Sequence, residues 1–143
     1  MQEIISKVRS RVIFLDPSEQ SLNVYFNDMG EEQVTVSPEG NSVEPLPVSY
    51  GVVQSPNVYV QATVTIPISK TRPVYDTYKN RAERNGVING RVEVTDDAGK
   101  VWKLYNCALQ LPKNLTTNGS EPFTVFEIIG SIEVNTDLTK LFF

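Results

Sequence analysis

Chemistry needs particular side chains at particular spacings, and few are present here. There is no histidine, which removes Ser-His-Asp and Cys-His nucleophile arrangements along with ordinary zinc sites. Asp96 and Asp97 could serve as an acid and base pair or hold calcium, but the run Asp96-Asp97-Ala98-Gly99 reads more simply as a turn. A phosphate loop requires glycines clustered ahead of a helix, and the stretch before Pro73 has none. Cys107 is the sole cysteine, so no internal disulfide can form, and a lone thiol in a strand-like stretch reads as a small core residue. Tyr25, Phe26, Tyr59, Trp102 and Tyr105 could stack sugars or single-stranded nucleic acid. Each lies in an alternating strand pattern, which favours core filling and cross-strand pairing. No catalytic, cofactor-binding or metal-ligating residue is assigned. The chain is not expected to be an enzyme, and its function is expected in a surface that binds or assembles.

Charge is distributed unevenly. The net charge of −4 argues against general nucleic-acid binding, which needs clustered Lys and Arg. From Val12 to Ser69 there is no Lys or Arg, while Asp16, Glu19, Asp28, Glu31, Glu32, Glu39 and Glu44 fall in that stretch. Lys70, Arg72, Lys79, Arg81 and Arg84 follow, offset by Asp76 and Glu83.

These residues must be positioned by strands. In Val58–Ile68 the residues Val58, Val60, Ala62, Val64, Ile66 and Ile68 share one face, and Pro67 places the end of that strand at a sheet edge or bulge. Leu22–Asn27 and Gln33–Ser37 flank Asp28-Met29-Gly30-Glu31-Glu32 and predict a hairpin, with a strand around Val12–Leu15 before it. Residues 38–57, rich in proline and glycine, read as a long extended loop, expected to be unordered before assembly because its pairing partner belongs to a neighbouring subunit. Residues 73–85 predict a short helix with Tyr75, Tyr78 and Ala82 inward and Gly86 as a stop. A meander follows over 87–95, 100–111 and 123–135, and in its final strand Phe126, Ile128, Ile132 and Val134 oppose Glu127, Ser131, Glu133 and Asn135.

At 143 residues and 40% hydrophobic, one domain with its own core is expected. Met1–Val12 lacks the apolar segment of a secretory signal, and no apolar run approaches the roughly 20 residues that span a bilayer. Folding in a cytoplasm is therefore expected, with no membrane partner, and the sequons at Asn114 and Asn118 mark only a polar loop. The fold class expected is mostly β: an antiparallel β-sandwich or half-barrel with one short flanking α-helix and a long extended loop.

Gly90-Arg91-Val92-Glu93-Val94 before an Asp-Gly turn, Leu104-Tyr105-Asn106-Cys107-Ala108-Leu109, and Ile129-Gly130-Ser131-Ile132-Glu133-Val134-Asn135 together resemble the tail tube proteins of tailed bacteriophages, particularly contractile ones. The likeness covers about a third of the chain closely and the rest by layout. It implies a virion protein, assembled in the host cytoplasm, whose copies close into hexameric rings that stack into a tube. The tail sheath and tape-measure protein are the implied partners, and DNA passes without sequence preference through an acidic channel. On that resemblance Glu93, Glu127 and Glu133 are candidate channel residues. Glu39, Glu44, Tyr50, Lys79, Arg81, Arg84, Leu141, Phe142 and Phe143 are candidates for contacts between subunits, since head-to-tail contacts need two complementary patches. The rival readings are a tube initiator or completion protein, and a carbohydrate- or receptor-binding β-sandwich using the 112–122 loop with Trp102 and Tyr105.

Overall fold

The computed structural model describes residues 9–29, 33–112, 117 and 119–137. Among these lie β1 (Arg11–Phe14), β2 (Val24–Tyr25), β3 (Thr35–Glu39), β4 (Val43–Val48), β5 (Gly51–Pro56), β6 (Tyr59–Ser69), α1 (Pro73–Arg84), β7 (Val92–Thr95), β8 (Val101–Leu109) and β9 (Phe123–Glu133). All pairing is antiparallel. One seven-stranded sheet runs β2-β1-β7-β8-β9-β6-β3, and β4 and β5 form a hairpin of their own. The sheet is open, with β2 and β3 as its edges. The expected class holds: the described residues are mostly β, a seven-stranded antiparallel sheet with a hairpin and one short α-helix, and the sheet does not close into a barrel.

Alternation in β6 and β9 sets the inner face. Val60, Ala62, Val64, Ile66 and Ile68 of β6 are buried, as are Phe126, Ile128 and Ile132 of β9, and the two strands pair from Tyr59↔Glu133 to Ser69↔Phe123. Within this run Ala62 faces Gly130. A Cβ on Gly130 would lie 2.7 Å from Cys107 Sγ, so only glycine admits β8 this close. There β8 bulges, stepping from Tyr105↔Ser131 to Ala108↔Ile129 with Asn106 at φ 53°. A bulge of this kind bends a sheet. The bend lets Tyr78 of α1 stand edge-on to Phe14 of β1, at 6.5 Å, and to Phe126 of β9, at 5.5 Å, strands that sit three positions apart in the sheet. The Tyr78 hydroxyl donates to Leu22 O at 2.7 Å, so no polar atom of this buried ring goes unpaired.

α1 follows its sequence signals, with Pro73 in its first turn, Asp76 at its positive end and Arg81 and Arg84 at its negative end. Tyr78 is buried, and Tyr75 and Ala82 pack beside it against the core. Pro67 also fits: β3 pairs with β6 only as far as Thr65, so proline costs no bond on that side.

Three expectations are corrected. No hairpin joins residues 22–27 to 33–37; β2 pairs with β1, and β3 pairs with β6. The chain on either side of β2 makes 3-10 turns, Pro17–Leu22 before it and Phe26–Asp28 after it, the second held by Asp28, whose carboxylate accepts from Tyr25 N at 3.3 Å and meets Arg72 Nε at 2.7 Å. The strand expected over 87–95 shrinks to β7, with Val87 making one isolated bridge to Ala108. Asn85 and Arg81 bind the backbone of Val87 instead. Finally, residues 38–57 are extended but not structureless: β4 and β5 pair with each other from Val43↔Pro56 to Val48↔Gly51.

Candidate assembly surface

The β4–β5 arm is the least self-sufficient part of the fold. Two-stranded hairpins are marginal alone in water, and this one leaves Leu46, Val48, Val52 and Val53 exposed, with Tyr50 at its tip 84% exposed. Leu46 and Val53 face each other across the strands. Gly51 follows the tip at φ +143°, a conformation that side chains resist.

Three prolines are tolerated in the arm for one reason. Asn57 N donates to Ser42 O at 2.8 Å, which makes residues 42 and 57 a hydrogen-bonded pair. In the observed register the next such pairs are 44 with 55, 46 with 53 and 48 with 51. Pro45, Pro47 and Pro56 occupy the intervening positions, where the backbone nitrogen points away from the partner strand and no ladder bond is lost.

The base of the arm is latched to the sheet. Asn135, just past β9, donates through Nδ2 to Ser42 O at 2.8 Å and to Asn57 O at 2.7 Å. Asn57 Nδ2 donates in turn to Asn41 O at 2.7 Å. Asn135 adopts φ 54°, which asparagine tolerates better than most residues. Of the arm's sequence-predicted residues, Tyr50 is at the tip, and Glu44 lies at the base, 3.5 Å from Asn57 Nδ2. The Asn57 and Asn135 latch had no role assigned from sequence. Its only signal there was asparagine beside strand ends.

Cross-strand register puts Glu93, Glu127 and Glu133 on the outer face of the sheet, opposite the core. Glu133 faces Tyr59 and is exposed, while Glu127 faces Thr65 and is half-buried. Glu39 shares this face in the row Glu39, Gln61, Ser131, Tyr105, and accepts from Thr63 Oγ1 at 2.9 Å. Glu93 differs: Arg91 Nη2 is 3.1 Å away and Lys103 stands directly opposite. The β3 and β9 side of the outer face therefore carries the carboxylates of Glu39, Glu127 and Glu133, and on the β7 side Glu93 is paired with Arg91.

The basic residues divide as well. Arg81 is committed within the chain: Nη2 donates to Glu19 Oε1 at 2.9 Å and to Val87 O at 2.8 Å, and Nε to Asn85 O at 2.6 Å. Glu19 Oε2 lies 2.6 Å from Arg81 Nη1 as an ion contact without hydrogen-bond geometry. With Arg72 on Asp28, part of the charge asymmetry in the sequence is resolved inside the fold. Lys79 and Arg84 are exposed. Leu141, Phe142 and Phe143 lie outside the described residues.

Asp96 is a turn residue, its Oδ1 accepting from Ala98 N at 2.9 Å and Lys100 N at 2.8 Å. Among the described residues no group of three or more acidic or cysteine side chains could hold a metal ion. Burial pushes the Cys107 thiol up to about 11, as suits a core residue. The aromatics expected to fill the core largely do not: Tyr25, Tyr59 and Trp102 are exposed, and Phe14, Tyr78 and Phe126 fill it instead, because they occupy the inward positions of their elements. Trp102 and Tyr105 line an open cleft of about 300 Å³ together with Ile132 and Val134. No protein-family model matches this chain, and no curated protein sequence matches it.

Proposed function

We propose that this chain is a structural subunit that assembles with copies of itself into stacked rings, forming the tube of a phage-type tail. The observation that carries the reading is the β4–β5 arm, an ordered projection with apolar side chains in water and a purpose-built latch at its base. A monomer gains nothing from exposing Leu46, Val48, Tyr50, Val52 and Val53, whereas a partner that covers them recovers roughly 25 cal/mol per Å² of apolar surface. Resemblance over residues 86–135 supports the tube, and the acidic side of the outer face, carrying Glu39, Glu127 and Glu133, suits a wall past which DNA slides without sticking. Ring symmetry, sheath and tape-measure partners and placement in the virion belong to the same proposal.

Two alternatives remain distinct from it. A tube initiator or completion protein would use the arm on a different neighbour. A ligand-binding module is favoured by the Trp102 and Tyr105 cleft, where aromatic faces could stack a sugar ring. Negative-stain electron microscopy across a concentration series separates them: rings or hollow tubes support the proposal, and monomers that persist at high concentration and bind oligosaccharide refute it.

A further inference from the structure

The arm has two long edges, and they are not equivalent. In the pairing deduced above, the backbone groups that point away from the hairpin belong to residues 43, 45 and 47 on β4 and to residues 52, 54 and 56 on β5. On β4 only Val43 can donate, because Pro45 and Pro47 have no N–H, and such an edge resists strand addition. On β5 Val52 and Gln54 both donate, and only Pro56 does not. One side of the arm is sealed and the other is open.

A second open edge exists on the main sheet. Val134 N donates to Val58 O at 2.9 Å, so in the observed register the even-numbered residues of β6 bond to β9 and the odd-numbered ones to β3. Thr35, Ser37 and Glu39 therefore turn their backbone toward β6. Val36 and Pro38 turn theirs outward, and Val34 precedes them in the same phase. Among the described residues no strand pairs with this edge.

We infer that the open edge of β5 adds as an antiparallel strand to the β3 edge of a second copy of this chain. The complementarity is in the donor rows. Aligning Gln54 with Val36 sets Val52 against Pro38 and Pro56 against Val34. Gln54 N and Val36 N then exchange bonds with each other's carbonyls, Val52 N donates to Pro38 O, and Val34 N donates to Pro56 O. Each donor-less proline accepts from the residue it meets, whose own carbonyl is left to water, so the contact forms four ladder bonds. Neither 34–38 nor 51–56 contains a charged residue, so no like charges meet when the edges join. The sealed β4 edge then faces outward and ends the sheet, so addition stops after one arm. Because β5 and β3 are different surfaces, the contact is head-to-tail and can propagate round a ring. The inference deepens the assembly reading and rests on it for the identity of the partner.

Cysteine pairing tests it. In this register Ser37 and Val53 form a non-hydrogen-bonded pair, whose Cα separation of about 4.5 Å suits a disulfide. Mixing a Ser37→Cys protein with a Val53→Cys protein under mild oxidation should give the mixed disulfide dimer. Gln54→Pro, placed like the native prolines so that the arm itself stays paired, should raise the concentration needed for cross-linking by roughly tenfold or more. Val43→Pro, which removes the remaining donor of the sealed edge, should leave it unchanged. Only Val53-to-Val53 dimers, no cross-link at all, or equal effects of the two prolines would overturn the inference. Microscopy of the same samples keeps the two ideas apart. Rings without the mixed disulfide remove the β5 contact and leave the tube, while the mixed disulfide without rings or tubes removes the tube and leaves the contact.

Discussion

Arg81→Ala should destabilise the folded chain itself. Glu19 has 3% of its side chain exposed and Arg81 has 21%, so truncating the arginine leaves a buried carboxylate facing no cation. Removing one partner of a buried pair costs about 3–5 kcal/mol, and the partial exposure of Arg81 places the expected loss near the lower end, about 3 kcal/mol. Asn85 O and Val87 O lose their side-chain donor at the same time. With a urea m-value on the order of 2 kcal/mol per molar, the midpoint should fall by about 1.5 M. The assay is urea unfolding at low protein concentration, followed by fluorescence of Trp102, the single tryptophan. Two comparisons sharpen it. Lys79→Ala and Arg84→Ala, on the exposed surface of α1, should stay within about 0.5 kcal/mol of the parent. The double variant Glu19→Gln with Arg81→Met should recover much of the loss, since it removes the stranded charge. If Arg81→Ala subunits are as stable as the parent but fail to assemble, Arg81 acts between subunits and the internal assignment is wrong.

The latch and the buried titrating groups give further expectations. Asn135→Ala removes the side-chain hydrogen bonds to Ser42 O and Asn57 O and places alanine at a positive φ, so amides of residues 43–56 should exchange with solvent at least roughly tenfold faster, while those of β6 and β9 keep their protection; unchanged arm exchange would mean that the arm is held by its own pairing. Stability should fall as pH rises from the ordinary 9.0 of the Cys107 thiol toward about 11, because the unfolded chain releases a proton there that the folded chain retains. Tyr78, which burial first and the charge of Asp28 second push well above 10.0, acts in the same direction at higher pH. Urea midpoints measured across this range in the parent and in Cys107→Ala check the sign, and a variant with the parent's slope between about 9 and 11 would show that the thiol contributes nothing.

What sequence made legible was what local pattern controls. β6 and β9 follow from strict alternation, and α1 follows from Pro73 with Tyr75 and Tyr78 on one side. Residues 38–57 look like a loop in sequence, yet proline breaks a strand only where its nitrogen faces a partner. In β4 and β5 the three prolines recur with the period of the pleat and always face out, a phase that composition alone does not reveal. Asp28 to Glu32 carried a local turn signal, yet long-range pairing prevailed: Val36 meets Val64 and Val12 meets Val94. The charge asymmetry was visible, but which acid finds which base depends on how α1 lies beside the Pro17–Leu22 turn, and that is tertiary information. The parity of the strands puts the three glutamates on the outer face, whereas the position of Lys103 opposite Glu93, which Arg91 pairs, requires the register of β7 with β8.

The latch also has a timetable. Asn135 lies 93 residues after Ser42 and 78 after Asn57, so a ribosome making the chain releases the arm well before the residue that fixes it. At roughly 5–20 residues per second the interval after Asn57 lasts about 4–16 s. During that time β6 also lacks β9, its longest partner. A nascent arm is thus free to pair with itself but has no fixed direction relative to the sheet, and adjacent chains on one message present each other with unaimed arms. On the assembly proposal, the geometry needed for ordered association would arrive only when β9 has docked, so completion of the chain would license its association.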